Sequence, residues 1–214
     1  MSKKFEYIIW DWNGTLLDDA QTCVEAMNYC LQKRSLPLST LESYRNLSCF
    51  PIINYYKLLG FDFDKESFDE VGAEFISKYN ELSKNAKLIK GAKEVLEFCK
   101  DKGIKQNILS ASQIRNVETQ LKFYRITDFF EEVIGLEHIF ATNKIEAGKS
   151  WLRKTGIPLE KIIMFGDTTH DYETAKELGC NIVLIANGHQ AKERLMETGV
   201  PVIDSILETK NFVT

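Results

Sequence analysis

The sequence predicts an α/β protein, a doubly wound parallel sheet interrupted after its first strand by a helical insertion. Three observations carry this. A short aromatic and β-branched run, FEYIIW at 5–10, stops at Asp11 and Gly14 as a buried strand stops at a turn. Residues 18–86 then repeat their apolar positions every three or four residues. From Leu88 onward, strand and helix patterns alternate with short connections, as in a parallel sheet covered on both faces.

The elements follow in order. In the insertion, Cys23, Met27, Cys30 and Leu31, then Ile52, Ile53, Tyr56 and Leu59, then Phe68, Val71, Phe75 and Tyr79 mark three or four amphipathic helices. Ser39-x-x-Glu42 has the form of a capping box, Gly60 marks a helix end, and no strand is expected there. Beyond it we expect helices over 91–102, 112–124, 144–154, 169–178 and 190–198. Strands are expected over 104–109, 132–134, 161–165, 181–186 and 202–203. The resulting division is a core of residues 1–17 plus 88–214 and an inserted helical domain of residues 18–87.

Length and composition agree with one core plus an insertion. The chain has 214 residues, of which 44% are apolar and 27% charged, enough to bury a core without staples. Lys plus Arg is 27 and Asp plus Glu is 31, a net charge of -4, which argues against a nucleic-acid-binding surface. Five cysteines in no C-x-x-C pair read as buried reduced thiols, and no apolar run reaches the roughly 18 residues of a membrane span. The apolar run after Lys3 and Lys4 ends at Asp11, too soon for a signal peptide, so a cytoplasmic protein is expected. Oligomeric state is not encoded in any of these features.

In a doubly wound sheet, ligands bind beyond the carboxyl ends of the strands. The polar residues expected there are Asp11-Trp12-Asn13-Gly14-Thr15, Ser110-Ala111-Ser112 and Gly166-Asp167-Thr168-Thr169-His170-Asp171, with Lys144 opening a helix between them. Carboxylates gathered at one place repel unless a cation sits among them, and oxygen ligands with room for water suit Mg²⁺. A carboxylate on a sharp turn can attack phosphorus, while Lys and Ser hold phosphoryl oxygens.

Asp11-Trp12-Asn13-Gly14-Thr15-Leu16 resembles the D-x-D-G-T-L motif of the haloacid dehalogenase (HAD) superfamily. Ser110, Lys144 and Gly166-Asp167-x-x-x-Asp171 resemble its second, third and fourth motifs, in the same order. The insertion resembles the C1 cap of that superfamily, and the 33 residues between Ser110 and Lys144 leave no room for a cap elsewhere. The chain is most similar to the phosphoglycolate phosphatase-like group. The resemblance implies a Rossmann-like core and a Mg²⁺-dependent phosphatase acting on a small phosphorylated metabolite through an aspartyl-phosphate. It implies Asp11 as nucleophile and metal ligand, the Asn13 main-chain carbonyl, Asp167 and Asp171 as further metal ligands, and Ser110 and Lys144 as phosphoryl-binding groups. Around the substrate we place Thr15, Ser110, Ala111, Lys144 and, from the cap loop 45–50, Arg45, where a surface arginine is the alternative. Lys149 is the rival to Lys144, since no Lys-Pro pair marks the motif.

One departure stands out. Position 13 is Asn, where the resembling phosphatases carry an Asp that protonates the leaving oxygen and then activates water. Losing such a group is worth about 10²–10⁴ in rate. His170 is the nearest substitute in sequence. Dehalogenases resemble D-x-Y-G-T and need no metal. Phosphonoacetaldehyde hydrolases resemble D-W-A-G-T and use a cap lysine, for which Lys33 and Lys57 are out of register. A phosphate- and metal-binding protein with little turnover is the other alternative. Asp18 and Asp19 read as acidic residues opening the first cap helix, His138 and His189 as solvated loop residues, and His170 as an exposed turn residue.

Overall fold

The computed structural model describes residues 5–136 and 144–213. His138 lies outside these described residues.

The core is a six-stranded parallel sheet in the order β5-β4-β1-β6-β7-β8. Its strands are β1 (Tyr7–Trp10), β4 (Lys105–Gln113), β5 (Glu132–Leu136), β6 (Ile162–Gly166), β7 (Asn181–Ile185) and β8 (Val202–Ile203). Successive side chains of a strand face opposite ways, and both faces are apolar here. Ile8, Trp10, Ile163 and Phe165 pack on one side with helices α5 (Ala92–Asp101) and α6 (Ile114–Tyr124). Ile9, Ile162 and Met164 pack on the other with α7 (Lys144–Thr155) and α8 (Thr169–Leu178). The buried polar pair in this core is satisfied: Trp10 Nε1 donates to Gln106 Oε1 at 3.0 Å, and Gln106 Nε2 donates to the Leu96 carbonyl at 3.0 Å.

Strand β1 is central. Trp10 lies opposite Ile108 on one neighbour and Phe165 on the other, so the chain just beyond it emerges between the ends of β4 and β6. That register brings the three expected polar strand ends side by side.

Helices α1 (Ala20–Lys33), α2 (Leu41–Leu47), α3 (Ile52–Leu58) and α4 (Phe68–Leu82) form the cap. Cys23, Val24, Met27, Cys30 and Leu31 of α1 share one buried cluster with Tyr44, Tyr55, Tyr56, Phe61 and Val71. Tyr56 lies at its centre, with ring contacts to Tyr55, Phe61, Phe63, Phe68 and Phe75. Outside, Arg34 donates to Glu66 and Glu74.

Several details differ from the sequence expectations. Ser39 is not a cap. Thr40 is, accepting from the Ser43 amide, while the capping box lies at Ser67 and Glu70 of α4. Two two-residue strands, β2 (Leu17–Asp18) and β3 (Lys87–Leu88), form an antiparallel ribbon where the chain enters and leaves the cap; they are too short to show a period. Strand β4 runs on to Gln113 through a register shift after Leu109, so Ser110-Ala111-Ser112 lies within the strand rather than beyond its end, and α6 begins at Ile114 rather than at 112. Helix α9 (Lys192–Met196) begins after Gln190, whose buried side chain bonds elsewhere. A last helix, α10 (Lys210–Val213), was not expected. Among the described residues, no helix is long and apolar enough to cross a membrane.

Tyr56→Ala removes the ring that joins the cap's aromatic residues. We expect it to destabilise the protein by about 3–5 kcal/mol, the usual cost of an aromatic deleted from a core, measured by urea unfolding.

Candidate active site

The site is built where β1, β4 and β6 end. The Asp11 amide donates to the Phe165 carbonyl at 2.9 Å, which fixes the first carboxylate between the neighbouring strands. The chain then turns sharply. The amides of Leu16 and Leu17 both return to the Trp12 carbonyl, and Gly14 adopts φ +75, a left-handed conformation that favours glycine. Gly188 meets a second constraint, close approach, because a Cβ there would overlap the Asp167 carboxylate.

Asp11, Asp167 and Asp171 are buried, and one carboxylate oxygen from each lies within 4.8 Å of the others. Lys144 Nζ stands among them, 2.9 Å from Asp11 Oδ1 and bonded to Asp171 Oδ1. Lys149 is half-exposed and pairs with Glu177 at 2.9 Å, so Lys144 is the lysine that reaches the site. Asp171 is doubly used. Its Oδ2 accepts from the Thr168 amide at 2.9 Å and the Thr168 hydroxyl at 2.6 Å, closing a capping box on α8. Asp167 accepts from the Thr15 hydroxyl at 2.8 Å and the His189 amide at 2.6 Å.

The electrostatics of this group point to missing positive charge. Burial, reinforced by Asp171 and Asp167, pushes the Asp11 carboxyl well above the usual range even with Lys144 beside it. Burial, with Asp171 adding to it, pushes Asp167 up to about 6. Asp171 goes the other way: burial raises it, but Lys144 and the Thr168 hydrogen bond hold it below its ordinary value. Lys144 itself is pulled down by burial and carried higher by Asp11 and Asp171. Three carboxylates and one ammonium leave negative charge that a divalent cation would offset. Their hard oxygen donors fit Mg²⁺.

Asp11, Asn13, Ser110, Ala111, Lys144 and Asp171 line a cavity of about 150 Å³ together with Thr168, His170, His189 and Gln190. On the cap side it is lined by Tyr44, Ser48, Cys49, Phe50 and Ile52, of which Phe50 and Ile52 are exposed. Two residues expected at the substrate are not among the lining residues. Thr15 is fully buried with its hydroxyl on Asp167, so it steadies a carboxylate. Arg45 donates Nε to the Gly188 carbonyl at 2.9 Å and its other end to the Asn187 carbonyl. It ties the cap to the core. Around it, Ser48 Oγ donates to the His189 carbonyl at 2.9 Å, Gln190 Nε2 donates to the Ser48 carbonyl at 3.0 Å, and Arg194 reaches the carbonyls of Arg45, Asn46 and Ser48.

Asn13 is held by a network that the sequence did not reveal. Its Nδ2 donates to Asp19 Oδ2 at 2.7 Å and to the Tyr79 hydroxyl at 2.8 Å, and its Oδ1 accepts from Ser112 Oγ at 2.7 Å. Asp19 does open α1, at its N-cap position, but it is fully buried and its side chain makes no capping bond. It also accepts from the Gly14 amide at 2.9 Å, the Tyr79 hydroxyl at 2.6 Å and His189 Nε2 at 3.2 Å. His189 is no solvated loop residue. Burial lowers its pKa, but Asp19 more than offsets this and carries it up to about 9, so the ring is charged at neutral pH. Its Nδ1 then donates to the Tyr44 hydroxyl at 2.7 Å. His170 stacks on Phe50 at 4.5 Å between centroids rather than standing free in a turn, and its pKa is lowered by burial and Lys144.

Known proteins resemble this chain over most of its length. Residues 8–185 match the family of haloacid dehalogenase-like hydrolases. The chain is 22% identical to phosphoglycolate phosphatase of Aliivibrio fischeri over 212 residues, covering 95% of this chain and 93% of the relative. It is 26% identical to phosphoglycolate phosphatase of Mannheimia succiniciproducens over 203 residues, covering 88% and 89%. Among solved structures, a haloacid dehalogenase-like family hydrolase of Streptococcus pneumoniae superposes with a TM-score of 0.74 at 19% identity, covering 98% of each chain. Protein tyrosine kinase A of Mycobacterium tuberculosis superposes with a TM-score of 0.81 at 19% identity, covering 99% of each. At such identity, the structural likeness speaks for the fold alone.

Two predictions follow from the Asn13 network. Asn13→Asp replaces a donor to Asp19 with a second carboxylate. We expect it to destabilise by about 1–3 kcal/mol, more at pH 8 than at pH 5 because both groups then ionise, with recovery in the double variant Asn13→Asp/Asp19→Asn by urea unfolding. His189 has a folded pKa of about 9 against an ordinary 6.5. Its contribution is therefore fully present below about pH 6.5 and is lost as pH rises through about 9. Urea unfolding across pH 6 to 9.5 should show that decline, and His189→Asn should flatten it.

Proposed function

We propose a function on one premise: this chain belongs to the haloacid dehalogenase-like hydrolase family. It is a phosphatase acting on a small phosphate ester, similar to the phosphoglycolate phosphatases, with Asp11 as nucleophile. The observation that supports this most is Lys144 bridging Asp11 and Asp171 inside a cluster of three buried carboxylates at the end of β1 and β6.

The chemistry follows from what each residue can do. Asp11 must be ionised to attack, yet burial resists its ionisation. Lys144 lowers that resistance, and its ammonium faces the place where charge gathers on the phosphoryl oxygens. Asp11, Asp167, Asp171 and the Asn13 main-chain carbonyl would hold Mg²⁺, which supplies further charge compensation for carboxylate and phosphoryl group. Attack by an Asp11 oxygen forms an aspartyl-phosphate as the bond from phosphorus to the leaving oxygen breaks. Water then cleaves the acyl phosphate, freeing phosphate and restoring Asp11. Ser110 and the adjacent backbone at Ala111 line the phosphoryl side, and Phe50 and Ile52 of the cap stand at the rim toward the leaving group, partly exposed to solvent.

Asn13 shapes the rate. Its carboxamide is engaged by Asp19, Tyr79 and Ser112, and an amide neither protonates the leaving oxygen nor deprotonates water. Esters with poor leaving groups should therefore turn over slowly, by about 10²–10⁴ relative to a site with an acid there. Carbon–phosphorus cleavage through a cap lysine finds no support. Lys144, from the core, is the one lysine among the described residues lining the cavity, and Lys33 pairs with Glu74 at the cap's surface.

The test is phosphate release from a panel of small phosphate esters and acetyl phosphate, with Mg²⁺ and with EDTA. We expect Mg²⁺-dependent release, fastest from acetyl phosphate, that vanishes in Asp11→Ala and falls at least 100-fold in Lys144→Ala. Release that persists in Asp11→Ala would sink the assignment of the nucleophile.

A further inference from the structure

A second group of metal-ligand side chains lies beside the first. Asp19, Cys23 and His189 are all buried, and one donor atom from each lies within 4.8 Å of the others. Local structure brings them together. Asp19 opens α1 and Cys23 stands one turn on, its amide donating to the Asp19 carbonyl at 2.9 Å. His189 comes from the core, after β7, and brings Nε2 to 3.2 Å from Asp19 Oδ1.

We propose that Asp19, Cys23 and His189 bind a Zn²⁺ ion that joins the cap to the core. Donor chemistry selects the metal. A thiolate and an imidazole beside one carboxylate suit Zn²⁺, whereas Mg²⁺ takes hard oxygens such as those of Asp11, Asp167 and Asp171. Distance agrees. Two ligands with bonds of about 2.0 Å to a tetrahedral ion stand roughly 3.3 Å apart, and the carboxylate oxygen and ring nitrogen stand 3.2 Å apart. The Cys23 sulfur reaches the ion by a small shift about its one rotatable bond.

Charge balances as well. Without the ion, the Asp19 carboxylate faces the proton on His189 Nε2, and Cys23 is a free thiol. Zn²⁺ replaces that proton and the thiol proton, and both leave to solvent. One doubly charged ion takes the place of two protons, so no additional net charge is buried.

The surroundings orient the ligands. His189 Nδ1 bonds to the Tyr44 hydroxyl at 2.7 Å, which leaves Nε2 as the ligating nitrogen. Asp19 Oδ2 accepts from Asn13 at 2.7 Å and from Tyr79 at 2.6 Å, which leaves Oδ1 for the metal. Outer partners of this kind hold ligands in place in metal sites. His189 and Tyr44 also line the cavity, which gives the ion a route of entry and water access to the fourth position. An ion pair of Asp19 with His189 would need no thiol; Cys23 is what makes the group a ligand set for a borderline-soft metal.

The test uses Co²⁺ as a probe, because thiolate ligation to it gives a near-ultraviolet charge-transfer band. The full chain is stripped with chelator, kept reduced and titrated in excess Mg²⁺. We expect one band-forming Co²⁺ per chain, displaced by Zn²⁺. The band should vanish in Cys23→Ser and persist in Asp11→Asn and in Cys49→Ser, whose thiol lines the cavity. Zn²⁺ affinity should fall roughly 100-fold in His189→Asn and about 10-fold in Tyr44→Phe. Zn²⁺ should also raise the urea midpoint of the unaltered chain and of Asp11→Asn but not of Cys23→Ser, a comparison made within each variant whatever its own stability. A band that follows Cys49 or Asp11 instead, or no band with Co²⁺ in excess, overturns the inference and leaves Asp19 and His189 as a hydrogen-bonded ion pair only.

Discussion

Three carboxylates cannot be buried within a few ångströms of one another unless positive charge is buried with them. The carboxyl end of this sheet is organised around that constraint. Lys144 meets part of it, and the directions of the perturbed groups show how the rest is distributed. Asp171, on the lysine and in its capping box, stays anionic below the ordinary range, whereas Asp11 and Asp167 are pushed upward. The residual demand for positive charge thus falls on the strand ends β1 and β6, where a cation and a phosphoryl group would have to be accommodated together. The capping box gives Asp171 a structural reason to sit beside the other two carboxylates. A substitution there would damage helix α8 and the site at once.

A second carboxylate, Asp19, organises the cap side. It accepts from the Gly14 amide of the catalytic turn, from Asn13, from Tyr79 of cap helix α4, and from His189 after β7. The acidic group that the family resemblance places at position 13 is absent, and a buried acid stands six residues on, hydrogen-bonded to the amide in its place. An Asp at 13 would face Asp19 as a like charge; Asn faces it as a donor. The two positions are therefore coupled, and the identity of residue 13 is as much a condition for burying Asp19 as a matter of catalysis.

Much of the core was legible because its signals are local and periodic. The alternating strands, the apolar faces of α1 and α4, and the polar residues after β1 and β6 all follow from burial and from where parallel strands end. The Asp19 network was not legible, since it depends on a sharp turn at Gly14 that folds residue 19 back beside residue 13. His189 and Gln190 were within reach. They follow β7 as Asp11 follows β1, and the strand-end rule applied to Asn187-Gly188-His189-Gln190 would have placed them at the crevice. Arg45 was misplaced for a different reason. A cation on a cap loop reads as a substrate ligand, and nothing in the sequence shows that backbone carbonyls of the 187–188 turn lie closer.

That turn is also where the cap is held on the core. The cap docks on residues 187–194 chiefly through arginine and hydroxyl donors aimed at main-chain carbonyls, Arg45 and Ser48 from the cap side and Arg194 from the core side. Hydrogen bonds from a charged donor to a carbonyl are strong and directional, so this docking fixes the cap precisely enough to wall a small cavity. The same bonds leave Ser48, Cys49, Phe50 and Ile52 as the cap's surface toward the leaving group. His189 joins the two arrangements. Its main chain accepts from Ser48 of the cap and donates to Asp167 of the site, while its ring pairs with Asp19 and Tyr44. Docking the cap and ordering the carboxylates are therefore parts of one hydrogen-bonded structure, in which the guanidinium groups of Arg45 and Arg194 serve the docking.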